Sequence, residues 1–271
     1  MSNLIDRMPW ARKEAYVSTE PYPYGWVDEF LPADLYDRLS ASFVSPDQNK
    51  NSDTLGRGKK RVLFTTPPMP THLEEMPEDW IGFLDALSDR NTMAQAFDWA
   101  RSLTPAETAE PGYQELFALR NALSVDDLYW QCEFSSMDAN VLLPPHSDST
   151  DKILIFVHYF APDGWQAEWG GETEVYSAKN PAQNRNWSNF FLNHAQVETL
   201  AKCRFLPNRL FYFVKTQAAW HGVSPLSAAT SLSRRSFNFS LRIKPDAKVP
   251  ARLTEVMAEI KARESGVFAP R

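Results

Sequence analysis

Apolar residues recur at helical spacing in the first half of the chain and in short runs in the second. In ADLYDRLSASF, Leu35, Leu39 and Phe43 stand at i, i+4 and i+8, one face of a helix predicted over about residues 32–44. The polar stretch 45–58 reads as a loop, and residues 61–66 have strand composition. A proline-rich stretch, PPMPTHLEEMPEDW, leads to a second helical region marked by Trp80, Phe83, Leu84 and Leu87, with a further helix through 93–99. From about residue 126 the texture changes. DLYWQCEF, NVLLP, KILIFVHYF, ETEVYS, CRFLP, RLFYFV and RSFNFSLRI are short apolar runs broken by turn residues, which predicts antiparallel strands in a sandwich or barrel. Residues 178–200, rich in Asn and aromatics, fit neither pattern. Near the C-terminus Leu253, Val256, Met257 and Ile260 form one stripe, so a helix there packs against the body.

Composition agrees with a β-rich body: 43% of the 271 residues are hydrophobic, 13% are aromatic, and twenty are proline. A formal net charge of −6, with no basic tail or stripe, argues against nucleic acid as a partner. The short basic cluster Arg57, Lys59, Lys60 and Arg61 reads as a charged edge strand, or else as a contact for an anionic substrate. Cys132 and Cys203, in apolar or mixed runs without CxxC spacing, read as packed thiols. No leader-like apolar stretch and no run of about 18 apolar residues occurs, so the expectation is a cytoplasmic protein without a membrane span. No oligomeric state is implied.

The candidate chemistry begins at His146-Ser147-Asp148, after the extended run Val141-Leu142-Leu143-Pro144-Pro145. Residues two apart on a strand share a face, so one imidazole and one carboxylate can meet a single ion. With five histidines and 34 acidic residues in the chain, a His-x-acid match arises by chance about 0.6 times, so the pair alone is weak. His221 strengthens it, standing after the apolar strand 210–214 at a strand end or turn from which it can reach back. Two histidines and one carboxylate leave open positions on a first-row metal, an arrangement suited to Fe(II). Further on, Arg234 and Ser236 lie two apart at the start of the strand 236–243, where a guanidinium fork and a hydroxyl can anchor a dicarboxylate. Arg235 stays an alternative, because strand alternation puts neighbours on opposite faces.

HSDS, YFAPDGWQAEWGGETEVY, NRLFYFVKTQAAWHGVSP and RRSF, in that order, resemble the 2-oxoglutarate- and Fe(II)-dependent oxygenases, in particular the prolyl-hydroxylase-like branch. The resemblance covers roughly residues 126–243. It implies that His146, Asp148 and His221 are the iron ligands and that Arg234, helped by Ser236, binds the distal carboxylate of 2-oxoglutarate. It implies a mainly β (α+β) fold, a double-stranded β-helix or jelly-roll, cupin-like barrel with supporting N-terminal helices and a C-terminal helix. The expected layout is one domain over 1–271, with helical support and substrate-side elements in 1–125, the jelly-roll core in 126–245 and the C-terminal helix in 246–271. The implied reaction couples conversion of 2-oxoglutarate and O2 to succinate and CO2 with hydroxylation of a small molecule, glycan or protein side chain, with ascorbate as a candidate reductant. Retention of Asp148 favours hydroxylation over halogenation.

Tyr129 and Gln131, two apart in DLYWQCEF, are further candidates for a cosubstrate contact, although a buried tyrosine fits the same spacing. The pair Gly170-Gly171 reads as a tight turn before a strand. Trp165, Trp169 and Trp220 could wall a pocket but fit core or rim better, and His158 reads as a packed histidine. His72 and His194 stand isolated in loop-like sequence. The rival readings are a jelly-roll isomerase or hydrolase that uses the same three ligands without needing Arg234, and a binding module without catalysis.

Overall fold

The computed structural model describes residues 4–55, 58–66, 76–245 and 250–268. Twelve strands, numbered in chain order, form two antiparallel sheets. The larger runs β1 (Tyr16–Ser18), β2 (Tyr24–Val27), β10 (Leu210–Val214), β7 (Lys152–Tyr159), β12 (Arg234–Ile243), β5 (Leu128–Met137), β4 (Lys59–Thr66), β3 (Asp53–Leu55). The smaller runs β6 (Leu143–His146), β11 (Trp220–Val223), β8 (Thr173–Ala178), β9 (Val197–Cys203). Strands adjacent in space are mostly distant in sequence, and the two sheets face each other as the jelly-roll reading expects.

Strand alternation divides the chemistry. On β12 the residues Phe237, Phe239 and Leu241 point to one side, and β5 sends Trp130, Cys132 and Phe134 the same way. That side packs against helices α1 (Ala33–Ala41), α2 (Glu78–Ser88), α3 (Arg90–Leu103), α4 (Gln114–Asn121) and α5 (Ala251–Phe268) in the main core. The opposite parity, Arg234, Ser236, Asn238, Ser240 and Arg242 on β12 with Gln131 and Glu133 on β5, faces the barrel interior and lines a cavity. A second apolar cluster, with Ile155, Tyr159, Val175, Phe205 and Phe213, fills the rest of the space between the sheets. Asp89 sharply separates α2 from α3, because its side chain accepts the amides of Asn91 and Thr92 at the second helix's N-terminus.

Several expectations change. The N-terminal portion supplies four strands to the large sheet as well as helices. The strand near 203 is VETLAKC and not CRFLP, so the unassigned 178–200 stretch ends by entering β9. The basic residues of β4 do not sit on a sheet edge, since β3 covers that strand: Arg61 pairs with Asp53, and Lys60 with Asp47 and Asp138. Arg57, His72 and the proline-rich stretch 67–75 lie outside the described residues. Both cysteines are buried free thiols, and no helix among the described residues is long and apolar enough to cross a membrane.

Phe237 has no exposed surface and touches the rings of Trp80, Phe83, Phe134 and Phe239, so it joins the sheet to the helices. Phe237→Ala is expected to cost about 3–5 kcal/mol, read as a lowered urea midpoint at unchanged slope; a change below about 1 kcal/mol would contradict this packing.

Candidate metal and cosubstrate site

β6 pairs antiparallel with β11, and the register sets His146 directly opposite His221. The two imidazoles stand 4.2 Å apart between centroids. Two residues after the end of β6, Asp148 brings Oδ2 to 3.7 Å from His221 Nε2, and one ligand atom from each residue lies within 4.8 Å of the others. His146 Nδ1 lies 2.9 Å from the Pro144 carbonyl and His221 Nδ1 lies 3.1 Å from that of Ala219. A carbonyl can only accept, so both Nδ1 atoms carry the hydrogen and both Nε2 atoms keep a free lone pair. Asp148 Oδ1 accepts from Lys152 Nζ at 2.7 Å, while its Oδ2 is buried without a hydrogen-bond partner.

Protonation favours a cation here. Burial, with the neighbouring His146, pushes His221 down to about 3. Burial also lowers His146. For Asp148, burial acts to raise the pKa, but Lys152, His221 and His146 outweigh it and hold the carboxyl below the usual range. Near neutral pH the cluster is two neutral imidazoles and one carboxylate, the state that binds a metal without first losing protons. The contact between His221 and Asp148 is therefore not an ion pair. An orphaned buried carboxylate oxygen facing two imidazole lone pairs fits a divalent ion.

On β12 the alternation separates the two arginines. Arg235 stands over the Phe43 ring at 5.4 Å, on the helix side. Arg234 turns inward and is 2% exposed. Its Nε donates to the Gly171 carbonyl at 2.6 Å, and Nη1 and Nη2 lie 3.4 Å from the hydroxyls of Ser236 and Thr173. The rings of Tyr159 and Phe205 flank the guanidinium. Burial lowers its pKa, and no carboxylate among the described residues pairs with it, so an entering anion would meet a charge already stripped of water. The glycine pair serves this arginine as well as the turn. Gly170 and Gly171 have φ of 78° and 80°, and a Cβ on Gly171 would come within 3.1 Å of Arg234 Cδ.

One cavity of about 240 Å³ joins both features. Arg234, Ser236 and Thr173 line it together with the triad. Gln131, Glu133, Lys59, Arg61 and Arg242 line it as well. Of the two β5 candidates, Gln131 lines the cavity, but its amide oxygen already accepts from Arg242. Tyr129 does not line it, lying opposite Arg242 near the end of the strand pair. None of Trp165, Trp169 and Trp220 lines it either; Trp220 is fully buried with its indole N–H donating to Gln183. His158 is buried against Asn208, and His194 is exposed. Sequence reasoning missed Lys152, Thr173, Glu133, Asn238 and Phe191, the last 56% exposed and stacked on His146 at 5.6 Å. Asn238 could have been found, because it continues the alternation begun by Arg234 and Ser236.

Residues 132–242, which include the triad and Arg234, match the family model described as the 2OG-Fe(II) oxygenase superfamily. Through this span, less than half of its 271 residues, the chain is similar to that superfamily. Oxygenases of this superfamily use Fe(II), 2-oxoglutarate and O2. No curated protein matches the sequence. Solved structures similar to this chain include a prolyl-4-hydroxylase of Pseudomonas putida, at 17% identity over 82% of this chain and 92% of that one, with a TM-score of 0.43. A prolyl hydroxylase of Trichoplax adhaerens in complex with a hypoxia inducible factor peptide fragment has 12% identity over 81% and 83%, with a TM-score of 0.45. The α-ketoglutarate-dependent epimerase SnoN of nogalamycin biosynthesis has 14% identity over 81% and 77%, with a TM-score of 0.44. At such TM-scores the likenesses carry no argument about reaction or substrate.

Two buried histidines give the protein a pH signature. Burial pushes His158 and His221 each to about 3, whereas the unfolded chain binds those protons near about 6.5. Between those values the unfolded state holds more protons, so stability falls as pH falls. The urea midpoint of metal-free protein is expected to be lower at about pH 4.5 than at about pH 7; a midpoint constant across this window would contradict the burial of neutral imidazoles.

Proposed function

We propose that the protein is an Fe(II)- and 2-oxoglutarate-dependent dioxygenase that hydroxylates a polar substrate. In this reading His146, Asp148 and His221 hold the metal, and Arg234, with Ser236 and Thr173, holds the distal carboxylate of 2-oxoglutarate. The observation that carries it is the joint presence, on one cavity, of three convergent ligand atoms and a buried guanidinium without a carboxylate partner among the described residues. A hydrolase or isomerase using the same three ligands has no need of that guanidinium, and such an unpaired buried charge would be a pure cost.

Bound Fe(II) would supply the centre at which 2-oxoglutarate and O2 react, giving succinate, CO2 and an oxidised substrate. The protein's own groups do the rest. Nδ1–H bonds to backbone carbonyls fix both imidazoles in the ligating tautomer. Lys152 occupies Asp148 Oδ1 and so leaves Oδ2 as the ligating atom. Because this carboxylate is retained, a halide has no vacated ligand position, which supports hydroxylation. The guanidinium is buried and flanked by the rings of Tyr159 and Phe205, which keeps water from the cosubstrate's charge.

The rest of the cavity wall bears on the substrate. Lys59 lies 2.5 Å from Glu133, Arg61 pairs with Asp53, and Arg242 with Asp151, so the basic residues there are neutralised within the protein. This removes the support for an anionic substrate. Asn238 donates to Glu133 at 2.7 Å and leaves its buried Oδ1 without a partner. A substrate offering hydrogen-bond donors, beside the exposed ring of Phe191, suits that surface better. We read the chain as a single domain, because strands from both sides of residue 126 share one sheet.

Purified protein supplied with Fe(II), 2-oxoglutarate and O2 is expected to release succinate slowly without substrate. His146→Ala should abolish this release. Arg234→Ala should raise the KM for 2-oxoglutarate on the order of 100-fold or more, as loss of one partner of a buried charge pair does. No succinate from wild type, or an unchanged KM in Arg234→Ala, would favour the hydrolase or isomerase class instead.

A further inference from the structure

The residue between two of the proposed ligands is itself held from outside the barrel. Ser147 is fully buried, and its amide donates to the Phe190 carbonyl at 3.0 Å. Its hydroxyl donates to the Ser188 carbonyl and accepts from Asn186 Nδ2 at 2.8 Å. Leu192 N donates to the Pro145 carbonyl at 2.9 Å, and Phe191 bridges His146. Residues 186–192 are thus sewn along the ligand turn on both sides of Ser147.

That segment is pinned in turn by α5. Glu264, 1% exposed, accepts the amides of Trp187 at 2.6 Å and Ser188 at 2.9 Å, one on each carboxylate oxygen, and the Tyr113 hydroxyl at 2.8 Å. Arg120 and Lys215 stand over the Trp187 ring at 5.0 and 5.5 Å, which places two buried basic groups on the residue whose amide Glu264 holds. A buried acid is expensive unless its hydrogen bonds are made and its charge is balanced. The apolar packing of α5 against the body comes from Leu253, Val256 and Ile260, which are buried on the same stripe, with Met257 and Phe268 beside them. An apolar residue at 264 would leave the amides of Trp187 and Ser188 and the Tyr113 hydroxyl without this acceptor, so the acid holds the 186–190 segment as well as continuing the stripe.

We propose that Glu264 is a positioning residue for the metal centre, acting through the 186–190 segment and the Ser147 hydroxyl on His146 and Asp148. The inference rests on the metal reading above. The chain of contacts is continuous: carboxylate to the amides of Trp187 and Ser188, the Ser188 carbonyl and Asn186 amide to the Ser147 hydroxyl, and Ser147 to its two covalent neighbours. Glu264→Gln keeps the shape but puts an NH2 donor against a backbone N–H, so at least one of the two amides loses its acceptor.

The test is a double-mutant cycle on Co(II) binding to the full chain, read as dissociation constant and visible absorption spectrum, with the melting temperature of each metal-free variant as a fold control. Glu264→Gln and Ser147→Ala are each expected to weaken Co(II) binding roughly tenfold or more and to alter the spectrum, as loss of outer-shell support does. The double variant is expected to be no weaker than the worse single one, because both act on one path. Wild-type affinity and spectrum in the folded single variants, or losses that multiply, would overturn the proposal. A role confined to docking α5 would lower the melting temperature and leave the spectrum unmoved. If Glu264→Gln does not fold, Glu264→Asp, which withdraws the carboxylate by one methylene, takes its place in the cycle. Wild-type protein that binds no Co(II) would overturn the metal reading and this one together, whereas binding with indifferent variants overturns this one alone.

Discussion

The site depends on one register. β11 lies against β6 so that His221 faces His146, and a shift of one residue would turn one imidazole out of the barrel. Everything else at the proposed metal centre refines that pairing. Asp148 arrives because the chain leaves β6 in a turn before β7, and Lys152, at the start of β7, takes the carboxylate oxygen that does not face the histidines. Backbone carbonyls of Pro144 and Ala219, each two residues before its histidine, fix the ring tautomers. The geometry is therefore written largely in the backbone, which is stiffer than any side-chain network.

The barrel accepts two electrostatic costs to build this cavity. Asp148 Oδ2 is buried without a hydrogen bond, and Arg234 is buried without a carboxylate. Each is unfavourable in the empty protein and each is relieved by an opposite charge, a divalent cation in one case and an anion in the other. Both face the same cavity, whereas the remaining charged residues along it, Lys59 with Glu133 and Arg242 with Asp151, are already paired. Protein-internal pairing of some lining charges and unsatisfied charge on others would, in the proposed function, separate a substrate surface that recognises hydrogen bonds from a cosubstrate pocket that recognises charge.

Much of this was legible in the chain. The alternation in RRSFNFSLRI, once the face is known, distinguishes Arg234 from Arg235 and adds Asn238, and the stripe of α5 was readable with Glu264 sitting one turn beyond Ile260 on the buried side. An acid continuing an apolar stripe is a signal that went unread. Other features could not be read because they depend on distant partners. The strands YVS and YGWV are three and four residues long; YGWV exists through pairing with the distant β10, and YVS through pairing with YGWV. Lys59 and Arg61 suggested an anion contact from composition alone, and only the neighbouring strands β3 and β5, which bring Asp53 and Glu133, reveal that their charge is spent. Thr173 enters the site through cross-sheet geometry that no local pattern encodes.

The central claim is that one cavity selects a divalent metal and a dicarboxylate together. Titration of the Mn(II)-loaded protein, without oxygen, against 2-oxoglutarate and against 2-oxobutyrate addresses it directly, because the second compound keeps the keto acid and lacks the distal carboxylate. The account predicts that 2-oxoglutarate binds on the order of 100-fold more tightly, since only it reaches Arg234. Equal affinities for the two compounds would contradict it.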